Sequence, residues 1–362
     1  MKMAIGGDLS ITPSSRRQFE QADARAAFND LLDIFQQCDR VLLNLECALT
    51  DSENAIRKFG PNLKGPKTTA DTLVKAGVTD CALSNNHIFD FGIEGLQDTL
   101  AQLDRVGIKW TGVGENELAS RKNHIIVQDG ITLAVVDVCE HEYTYALEDR
   151  MGARPFDEFE TMADIREAKK SADYVIVIYH GGKEHCRYPS PRLRKACREM
   201  VLCGADVVLC QHSHCIGCYE KYEDAHILYG QGNLHFVDPS ESDGWETGLL
   251  AVLQITKQKL DIDFVPVVML ETAIDTAKGE EGRKILDGLW ARSEKLHNGQ
   301  WKEEWHAFCQ SVCEGYKRAI CGYSQEDDLD KTQLFSHYLD CEAHTDVWRE
   351  LFPSWNHTNE KQ

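Results

Sequence analysis

The sequence predicts an α/β protein in which two packed sheets, or one mixed sheet, carry helices on the outside and a helical segment follows. Three observations predict this fold class. Short apolar runs alternate with helical periodicity from residue 1 to about 270, a hairpin pattern closes that region, and the strand signal stops after about residue 271. With 362 residues, of which 42% are hydrophobic, the chain can form a large domain over residues 1–270 and an appendage over residues 271–362.

The strands of the main domain are predicted from short runs rich in Val, Leu and Ile, which are typical of buried strands. Four such runs cover residues 41–45, 132–138, 174–179 and 206–210. Near the end of the domain, two apolar runs flank a four-residue turn at 256–259, and the second run alternates between apolar and polar residues. This pattern predicts a hairpin with a half-exposed antiparallel strand, which favours a mixed sheet or two packed sheets over one parallel sheet.

Amphipathic helices are predicted between the strands because apolar residues recur there at spacings of three and four. The stripes are Phe28, Leu31, Leu32 and Phe35; Ile93, Leu96, Leu100 and Leu103; and Leu193, Ala196, Cys197 and Met200. A similar stripe in the C-terminal segment consists of Trp301, Trp305, Phe308 and Val312. We expect that stripe to be core or a dimer face, so that a homodimer can form through the C-terminal helices.

Charge and composition limit the partners and the compartment. The chain has 39 Lys and Arg against 59 Asp and Glu, a formal net charge of −20, which argues against nucleic-acid binding and against attachment to anionic membranes. We find no signal-peptide pattern and no apolar run of roughly 18 residues, so we expect no membrane segment. The 14 Cys are scattered, and Cys215 and Cys218 lack a second pair at zinc-site spacing. We therefore expect reduced thiols and a cytoplasmic location.

Polar residues with metal-ligand character follow the predicted strands. They are Asp8, Asn44, Glu46, Asn86, His180, His212 and His214. One Asp or His at a strand end is usually a turn residue, a helix cap or a hydrogen-bonded loop residue. Here, however, five strands in succession deliver such residues to one edge of a sheet, where open α/β folds place their sites. Carboxylate, amide and imidazole ligands suit a pair of divalent ions such as Mn, Fe or Zn.

Several longer motifs are shared with one known family. They are Gly7-Asp8, Asn44-Leu45-Glu46, Asn85-Asn86-His87-Ile88-Phe89-Asp90-Phe91-Gly92, Gly112-Val113-Gly114, His180-Gly181-Gly182-Lys183-Glu184, Gly204-Ala205-Asp206-Val207-Val208, His212-Ser213-His214 and Tyr229-Gly230-Gln231-Gly232-Asn233. On this ordered set, the region over roughly residues 3–240 resembles the CapA family of capsule-synthesis proteins associated with poly-γ-glutamate. The fold of that family is the fold of the calcineurin-like metallophosphoesterases.

The resemblance implies a four-layer α/β/β/α sandwich with a two-metal site. By this resemblance, one ion would be held by Asp8 and His214. The other ion would be held by Asn86, His180 and His212, and Glu46 would bridge the two ions. By the same resemblance, His87 would stand beside the site as a general acid or transition-state donor. We expect Asp90 to orient His87 or to cap the following helix rather than to bind metal. Two such ions would generate a hydroxide and neutralise charge that develops on a phosphoryl or carbonyl oxygen.

The chain departs from the wider phosphoesterase pattern at two motifs. Those enzymes usually begin Asp-x-His, whereas Asp8-Leu9-Ser10 lacks the histidine. Their second motif bridges through Asp in a Gly-Asp context, whereas this chain has Asn44-Leu45-Glu46. We therefore expect one metal position to be short of a ligand, so that either only one ion is well occupied or Asn44 fills the gap.

Substrate contacts are expected from residues around these motifs. The candidates are Asn44, Lys64, Lys67, Glu184, Arg187 and Asn233. The basic loop over residues 57–67 is either a solvated surface loop or a lid that recognises an anionic substrate such as a polyglutamate or a phosphate. The segment Glu184-His185-Cys186-Arg187 comes soon after His180, so we expect it to line the cleft.

The sequence thus predicts a metal-dependent hydrolase that acts on a phosphate ester or a γ-glutamyl amide in capsule or poly-γ-glutamate metabolism. Two alternatives stay open. One is a non-catalytic accessory protein of polymer synthesis or export that retains a metal site. The other is a metal-stabilised binding module for an anionic polymer. The expected partner is an anionic small molecule or an anionic polymer.

Overall fold

The structure is a computed structural model that describes residues 1–140, 143–238, 240, 242–321 and 329–353. Its strands are β1 (Lys2–Leu9), β2 (Arg40–Leu45), β3 (Ala48–Leu49), β4 (Lys64–Gly65), β5 (Asp80–Ala82), β6 (Lys109–Thr111), β7 (Val113–Gly114), β8 (His124–Gln128), β9 (Ile131–Cys139), β10 (Gly152–Ala153), β11 (Tyr174–His180), β12 (Val207–Gln211), β13 (Tyr219–Tyr222), β14 (Ala225–Leu228), β15 (Asn233–His235), β16 (Thr247–Ile255), β17 (Leu260–Met269) and β18 (Ile274–Thr276). Its helices are α1 (Arg16–Glu20), α2 (Ala24–Phe28), α3 (Leu31–Phe35), α4 (Thr69–Ala76), α5 (Gly92–Val106), α6 (Glu117–Ser120), α7 (Glu158–Lys169), α8 (Pro191–Leu202), α9 (Gly279–Asn298), α10 (Trp301–Cys321), α11 (Leu329–Asp340) and α12 (Glu342–Leu351).

Two sheets form the centre of the fold. The first has the order β18-β17-β16-β1-β2-β5-β6, and β15 also pairs with β1. Its strands β1, β2, β5 and β6 run parallel, whereas β16 is antiparallel to β1. The second has the order β13-β14-β12-β11-β9-β8, with β9, β11, β12 and β14 parallel. Both sheets are therefore mixed. The first sheet is antiparallel on the side of β16, β17 and β18 and parallel on the side that ends at β6, whereas the second sheet has an antiparallel strand at each edge.

Three apolar clusters show how the layers stack. Ile5 of the first sheet and Ile178 of the second belong to one buried cluster, which fills the space between the sheets. Phe28 and Leu96, on helices, join the cluster on the other face of the first sheet. Trp305 joins the corresponding helical cluster on the second sheet. The order of layers is helices, sheet, sheet, helices, and this confirms the predicted four-layer α/β/β/α sandwich.

The C-terminal helices pack against the second sheet. Trp301 and Trp305 are 2% and 1% exposed within its outer cluster, so this stripe is part of the core. The strand β18, which the sequence pattern does not indicate, extends the first sheet beyond residue 270. The division of the chain at residue 270 and the homodimer stay predictions. Although α9 and α10 have 20 and 21 residues, no helix in the described part of the chain is long and apolar enough to cross a membrane.

The prediction of one helix over the apolar stripe from Phe28 to Phe35 is wrong. The chain forms two short helices there, because α2 ends at Phe28 and α3 begins at Leu31. Between them, Asn29 has a φ of 43°, and a right-handed helix does not accommodate that conformation. The apolar residues of the stripe are still buried, so burial against the first sheet can be satisfied without a continuous helix.

Candidate metal centre

The carboxyl ends of parallel strands from both sheets meet at one edge of the sandwich. In the first sheet, Asp8 lies opposite Asn44 of β2 and opposite Asn233 of β15. In the second sheet, His180 is the last residue of β11 and pairs with Gln211, the last residue of β12. The polar residues predicted from the strand ends therefore do come together between the sheets.

A glycine allows the strands of the first sheet to approach each other at this point. A Cβ atom at Gly7 would lie 2.4 Å from the backbone oxygen of Gly232, far closer than real Cβ contacts. Only glycine therefore lets the segment before Asn233 lie directly beside the end of β1. This contact explains why the Gly7-Asp8 motif belongs to the site, although its glycine carries no chemistry.

Asp8, Asn44 and His180 form a buried hydrogen-bonded cluster. Asn44 Nδ2 donates to Asp8 Oδ1 at 2.8 Å and lies 3.1 Å from His180 Nδ1. His180 Nε2 lies 2.8 Å from Asn86 Oδ1. The other Asp8 oxygen accepts a hydrogen bond from the backbone N–H of His212 at 3.0 Å. The cluster thus ties the ends of four strands and the loop after β5 into one network.

Glu46, His212 and His214 offer a set of converging ligand atoms. One ligand atom from each of these buried side chains lies within 4.8 Å of the other two. Neither Glu46 carboxylate oxygen accepts a hydrogen bond from the described residues, although Oε1 is 3.3 Å from His180 Nε2. Burial and the nearby Asp8 charge raise the pKa of Glu46 well above its usual range. A divalent cation would offset both effects, so these residues fit a metal ion.

The two histidines of the His212-Ser213-His214 motif have strained backbones. Their φ angles are 76° and 52°, in the left-handed region that favours glycine. Such a conformation costs about 1–3 kcal/mol for a non-glycine residue and is concentrated at functional sites. His212 lies with its ring centroid 4.9 Å from the ring of His180, and the two motif rings are 6.0 Å apart. The strained turn therefore gathers three imidazoles beside Glu46.

The charges around these histidines differ. Burial and the neighbouring His180 lower the pKa of His212 well below its usual range, which leaves a neutral imidazole. Burial also lowers the pKa of His214, but Glu46 and Asp8 outweigh it and the net pKa is raised. His214 Nδ1 lies 2.9 Å from Asn233 Oδ1 and 3.5 Å from Asp8 Oδ2.

His87 is held beside this cluster by two charged residues. Its Nδ1 lies 2.7 Å from Asp90 Oδ2 and 3.1 Å from Lys58 Nζ. Lys58 also forms an ion pair with Asp90 Oδ1, and the two side chains are 2% and 0% exposed. Burial and the Lys58 charge lower the pKa of His87 to about 4, so the imidazole is neutral near pH 7. Asp90 contacts His87, as predicted, and it does not cap α5.

A cavity of about 470 Å³ opens onto these residues, and we call it the site cavity. Its lining consists of Ile11, Thr12, Pro13, Arg16, Pro61, Asn62, Leu63, Lys64, His87, Glu184, His185, His214, Phe236, Asp238 and Trp245. Lys64 Nζ donates at 2.7 Å to both the Ser52 backbone oxygen and Glu53 Oε1. Burial raises the pKa of Glu184, but the charges of Lys183 and His214 act against it, and the net pKa lies well below its usual range.

Four of the six expected substrate-binding residues do not line the site cavity, and one of these, Asn44, is buried in the cluster with Asp8 and His180. Lys67 Nζ pairs with Asp98 at 3.1 Å and with Asp51 at 3.3 Å, outside the lining of the site cavity. Arg187 pairs with Asp243 and lines a different cavity. Asn233 is 1% exposed, and its amide is used by His214 and by the Trp245 backbone oxygen. Of the six candidates, Lys64 and Glu184 line the site cavity.

Several residues of the centre are not evident from sequence. Lys58 belongs to the basic loop, but nothing in its neighbourhood signals that its side chain is buried. Asn85 donates to Asn44 Oδ1 at 3.0 Å and to the Leu45 backbone oxygen at 2.9 Å, and its place beside Asn86 could have indicated this. Trp245 packs 4.8 Å from the His214 ring, and it follows no strand end or known motif.

Comparison with known proteins gives the family. The model of the family described as bacterial capsule synthesis protein PGA_cap matches residues 2–238. The chain belongs to this family. The family expected from the motifs is thereby confirmed. Outside the PGA_cap match lie α9–α12 and the strands from β16 onward.

Curated PGA_cap relatives match part of their own length. The PGA biosynthesis protein CapA of Bacillus subtilis (strain 168) is 30% identical over 247 residues, which cover 66% of this chain and 63% of that protein. A probable polyglutamine synthesis accessory protein of Mycobacterium tuberculosis (strain H37Rv) is 30% identical over 232 residues, 60% of each chain. The chain thus spans about three fifths of the curated relatives it matches. Among solved structures, a 5′-nucleotidase precursor from Thermus thermophilus aligns with 13% identity and a TM-score of 0.46, over 82% of this chain and 59% of that one.

Proposed function

We propose that this PGA_cap member is a divalent-metal-dependent hydrolase that acts on a phosphate ester or a γ-glutamyl amide of capsular polymer metabolism. One observation carries the proposal. The buried Glu46 carboxylate, with neither oxygen hydrogen-bonded by a described residue, converges with His212 and His214. The relatives' names, which refer to PGA biosynthesis and polyglutamine synthesis, support the substrate class.

Glu46, His212 and His214 would hold the ion or ions, and three neighbours in the same cluster complete the ligand set. These neighbours are Asp8, Asn86 and His180, as the motif resemblance implies. When bound, divalent ions supply Lewis acidity toward a phosphoryl or carbonyl oxygen and activate water for attack. The number of ions, one or two, and their identity among Mn, Fe and Zn are part of the proposal.

His87 is proposed as the proton-transfer residue of the reaction. Nδ1 lies 2.7 Å from an Asp90 oxygen, which can only accept, and 3.1 Å from the Lys58 ammonium, which can only donate. We assign the proton to Nδ1 because the Asp90 contact is the shorter one and Lys58 already pairs with the other Asp90 oxygen. The other nitrogen, Nε2, is then the one that can exchange a proton with a substrate in the site cavity. Lys58 pairs with the other oxygen of Asp90, which holds this carboxylate in place beside His87.

Substrate binding is proposed in the site cavity, whose lining includes two cationic side chains. Lys64 and Arg16 offer positive charge there, which suits an anionic group in a chain whose net charge is −20. Trp245 and Phe236 form an apolar wall beside His214. A volume of about 470 Å³ accommodates one terminal unit of a polymer rather than a long stretch of it.

A non-catalytic accessory role is the second candidate, and one contact favours it. Both Asp8 oxygens already accept hydrogen bonds, from Asn44 Nδ2 and from the His212 backbone. Position 10, where phosphoesterases carry a ligand histidine, is Ser10. A site built in this way could hold one ion for structure alone. The accessory function named for the Mycobacterium relative agrees with that role.

Elemental analysis of protein purified without chelator tests the metal site. We expect bound Mn, Fe or Zn in the wild type and its loss in the His212→Ala variant. The exposed His306, which pairs with Glu350 away from the centre, provides the matched control His306→Ala. Metal content that stays the same in all three proteins would contradict the proposed ligands.

Hydrolysis assays separate the two candidate functions. Metal-loaded wild type is tested on phosphomonoesters, phosphodiesters and γ-glutamyl oligomers, beside His87→Asn. We expect turnover of at least one class, with a loss of about 100-fold in the variant at unchanged metal content. Metal-loaded protein without turnover on any class would favour the accessory role.

A further inference from the structure

A second cavity lies on the far side of the segment that carries Trp245. It has a volume of about 560 Å³, and we call it the arginine cavity. Its lining consists of Arg187, Ile216, Asp243, Gly244, Glu246, Thr247, Glu281, Lys284, Ile285, Gly288 and Arg292. Helix α9 contributes five of these residues, so the C-terminal helices and the main domain build it together. The proposed hydrolase chemistry does not use this cavity.

Arg292 has no acidic counterpart in the described part of the chain. Its Nε donates to the backbone oxygen of Gly217 at 3.0 Å, and no described carboxylate pairs with its guanidinium. Burial, and next the positive charge of Arg187, lower its pKa. Two guanidinium groups are therefore close enough to repel each other, and one of them is partly buried without an anion.

The second guanidinium, on Arg187, is only weakly neutralised. It contacts Asp243 at 3.0 Å, but the Asp243 side chain is 93% exposed and therefore well solvated. Two glycines leave room beside the guanidinium groups. A Cβ atom at Gly244 would lie 2.4 Å from Arg187 Nη2, and one at Gly288 would lie 3.1 Å from Arg292 Nη1.

The other charged residues of the lining are more exposed than the two arginines. Glu246, Glu281 and Lys284 are all exposed, so water and salt screen them. The lining carries equal numbers of formal positive and negative charges, but only Arg187 and Arg292 are partly buried. The charge that solvent screens least is therefore positive.

We infer that the arginine cavity binds an oxyanion, a carboxylate or a phosphate, between the guanidinium groups of Arg187 and Arg292. The planar fork of a guanidinium matches the two oxygens of either group. The anion has two sources, either a free inorganic ion or a carboxylate of an acidic chain. Because residues of the segment 243–247 line both this cavity and the site cavity, an acidic chain bound in one could continue into the other.

Binding measurements on the 362-residue chain test this inference. The probes are a fluorescently labelled oligoglutamate peptide, followed by anisotropy, and inorganic phosphate, followed by calorimetry. The test variants are Arg292→Gln, Arg187→Gln and Arg292→Lys. Arg283 is exposed on the same helix and does not line the cavity, so Arg283→Gln is the matched control.

We expect Arg292→Gln and Arg187→Gln to weaken the binding of at least one probe by about tenfold or more, since a charge-assisted hydrogen bond is lost. The affinity of Arg292→Lys for that probe should lie between the affinities of wild type and Arg292→Gln. The affinity of Arg283→Gln should stay within about twofold of wild type. Weaker binding of the peptide identifies an acidic chain as the ligand, and weaker binding of phosphate alone identifies a free anion. If neither probe responds to either Gln variant, the inference is overturned.

Two controls keep this result separate from folding and from the proposed hydrolase. Urea unfolding checks each variant, and if Arg292→Gln unfolds, Arg187→Gln and Arg292→Lys decide. The same comparison is repeated in the His212→Ala background, which removes the proposed metal site. If the arginine variants still weaken probe binding in the His212→Ala background, the anion site is supported even if no hydrolysis is found.

Discussion

The ammonium group of Lys58 and the carboxylate of Asp90 form a buried ion pair behind the ring of His87. Their side chains are 2% and 0% exposed, although Lys58 sits in a surface loop whose next residue, Phe59, is 42% exposed. Asp90 Oδ2 also accepts the backbone N–H of Leu63 at 2.6 Å. One carboxylate thus holds the loop and the imidazole together.

Asp90→Asn should lower the free energy of unfolding by about 3 kcal/mol, because it leaves the Lys58 charge buried without a counter-charge. Urea unfolding measures this loss. Lys58→Met added to Asp90→Asn should restore part of it. Glu53, whose side chain is 89% exposed, pairs with Lys64 and provides the control Glu53→Gln, which should cost less than about 1 kcal/mol. Equal losses in the two single variants would contradict the buried-pair argument.

The strand framework was predictable from the sequence, whereas the loops were not. The four apolar runs predicted as strands correspond to β2, β9, β11 and β12, because continuous β-branched and aliphatic runs have few other solutions in a two-sheet core. Residues directly after such strands, such as His180 and His212, were therefore predictable members of the centre. Lys58 and Arg187 lie several residues beyond a strand end, where tertiary contacts decide the direction of the chain.

Glu46→Gln should separate metal binding from stability. Without metal, the variant should be at least as stable as wild type, since it removes a buried carboxylate beside Asp8. Adding Mn²⁺ at about 100 times its Kd should stabilise wild type by about 2.7 kcal/mol and the variant by much less. Thermal unfolding with and without Mn²⁺ measures both effects. If Mn²⁺ stabilises the variant as much as wild type, Glu46 is not a metal ligand.

Asp137 should give the stability a distinct pH dependence. Burial raises the pKa of Asp137 to about 7, although its Oδ2 accepts two backbone N–H groups from Leu83 and Ser84. Below pH about 4 the group is protonated in both states. Between that pH and about 7 only the folded state keeps the proton, so the free energy of unfolding falls by up to about 1.4 kcal/mol per pH unit.

The comparison of wild type with Asp137→Asn isolates this contribution. Chemical unfolding at about pH 5 and about pH 7.5, on either side of the raised pKa, gives the free-energy difference between the two proteins at each pH. We expect wild type to lose stability relative to the variant as the pH rises. A difference that does not change with pH would show that Asp137 is ionised throughout.

Arg192→Met should loosen the C-terminal helices. The Arg192 guanidinium joins Glu140 Oε1 at 2.5 Å to Asp346 Oδ2 of α12 at 2.9 Å. Loss of this link leaves two buried carboxylates close together, so α12 should exchange its amide hydrogens faster while β11 is little affected. Hydrogen exchange with mass spectrometry resolves the two segments. Arg349→Met, at a residue 68% exposed and 3.7 Å from Asp346, is the control and should change neither segment.

The pairing of β1 with β15 joins residue 8 to residue 233, so the centre is completed by a late part of the chain. A nascent polypeptide that has not yet emerged beyond β12 already presents Asp8, Glu46, Asn86 and His180 but lacks both residues of the strained histidine turn. It therefore cannot assemble the three converging ligand atoms, whatever the cation supply around the ribosome. Loading with the proposed cation would therefore be a late event, which marks a polypeptide whose two sheets have already closed on each other.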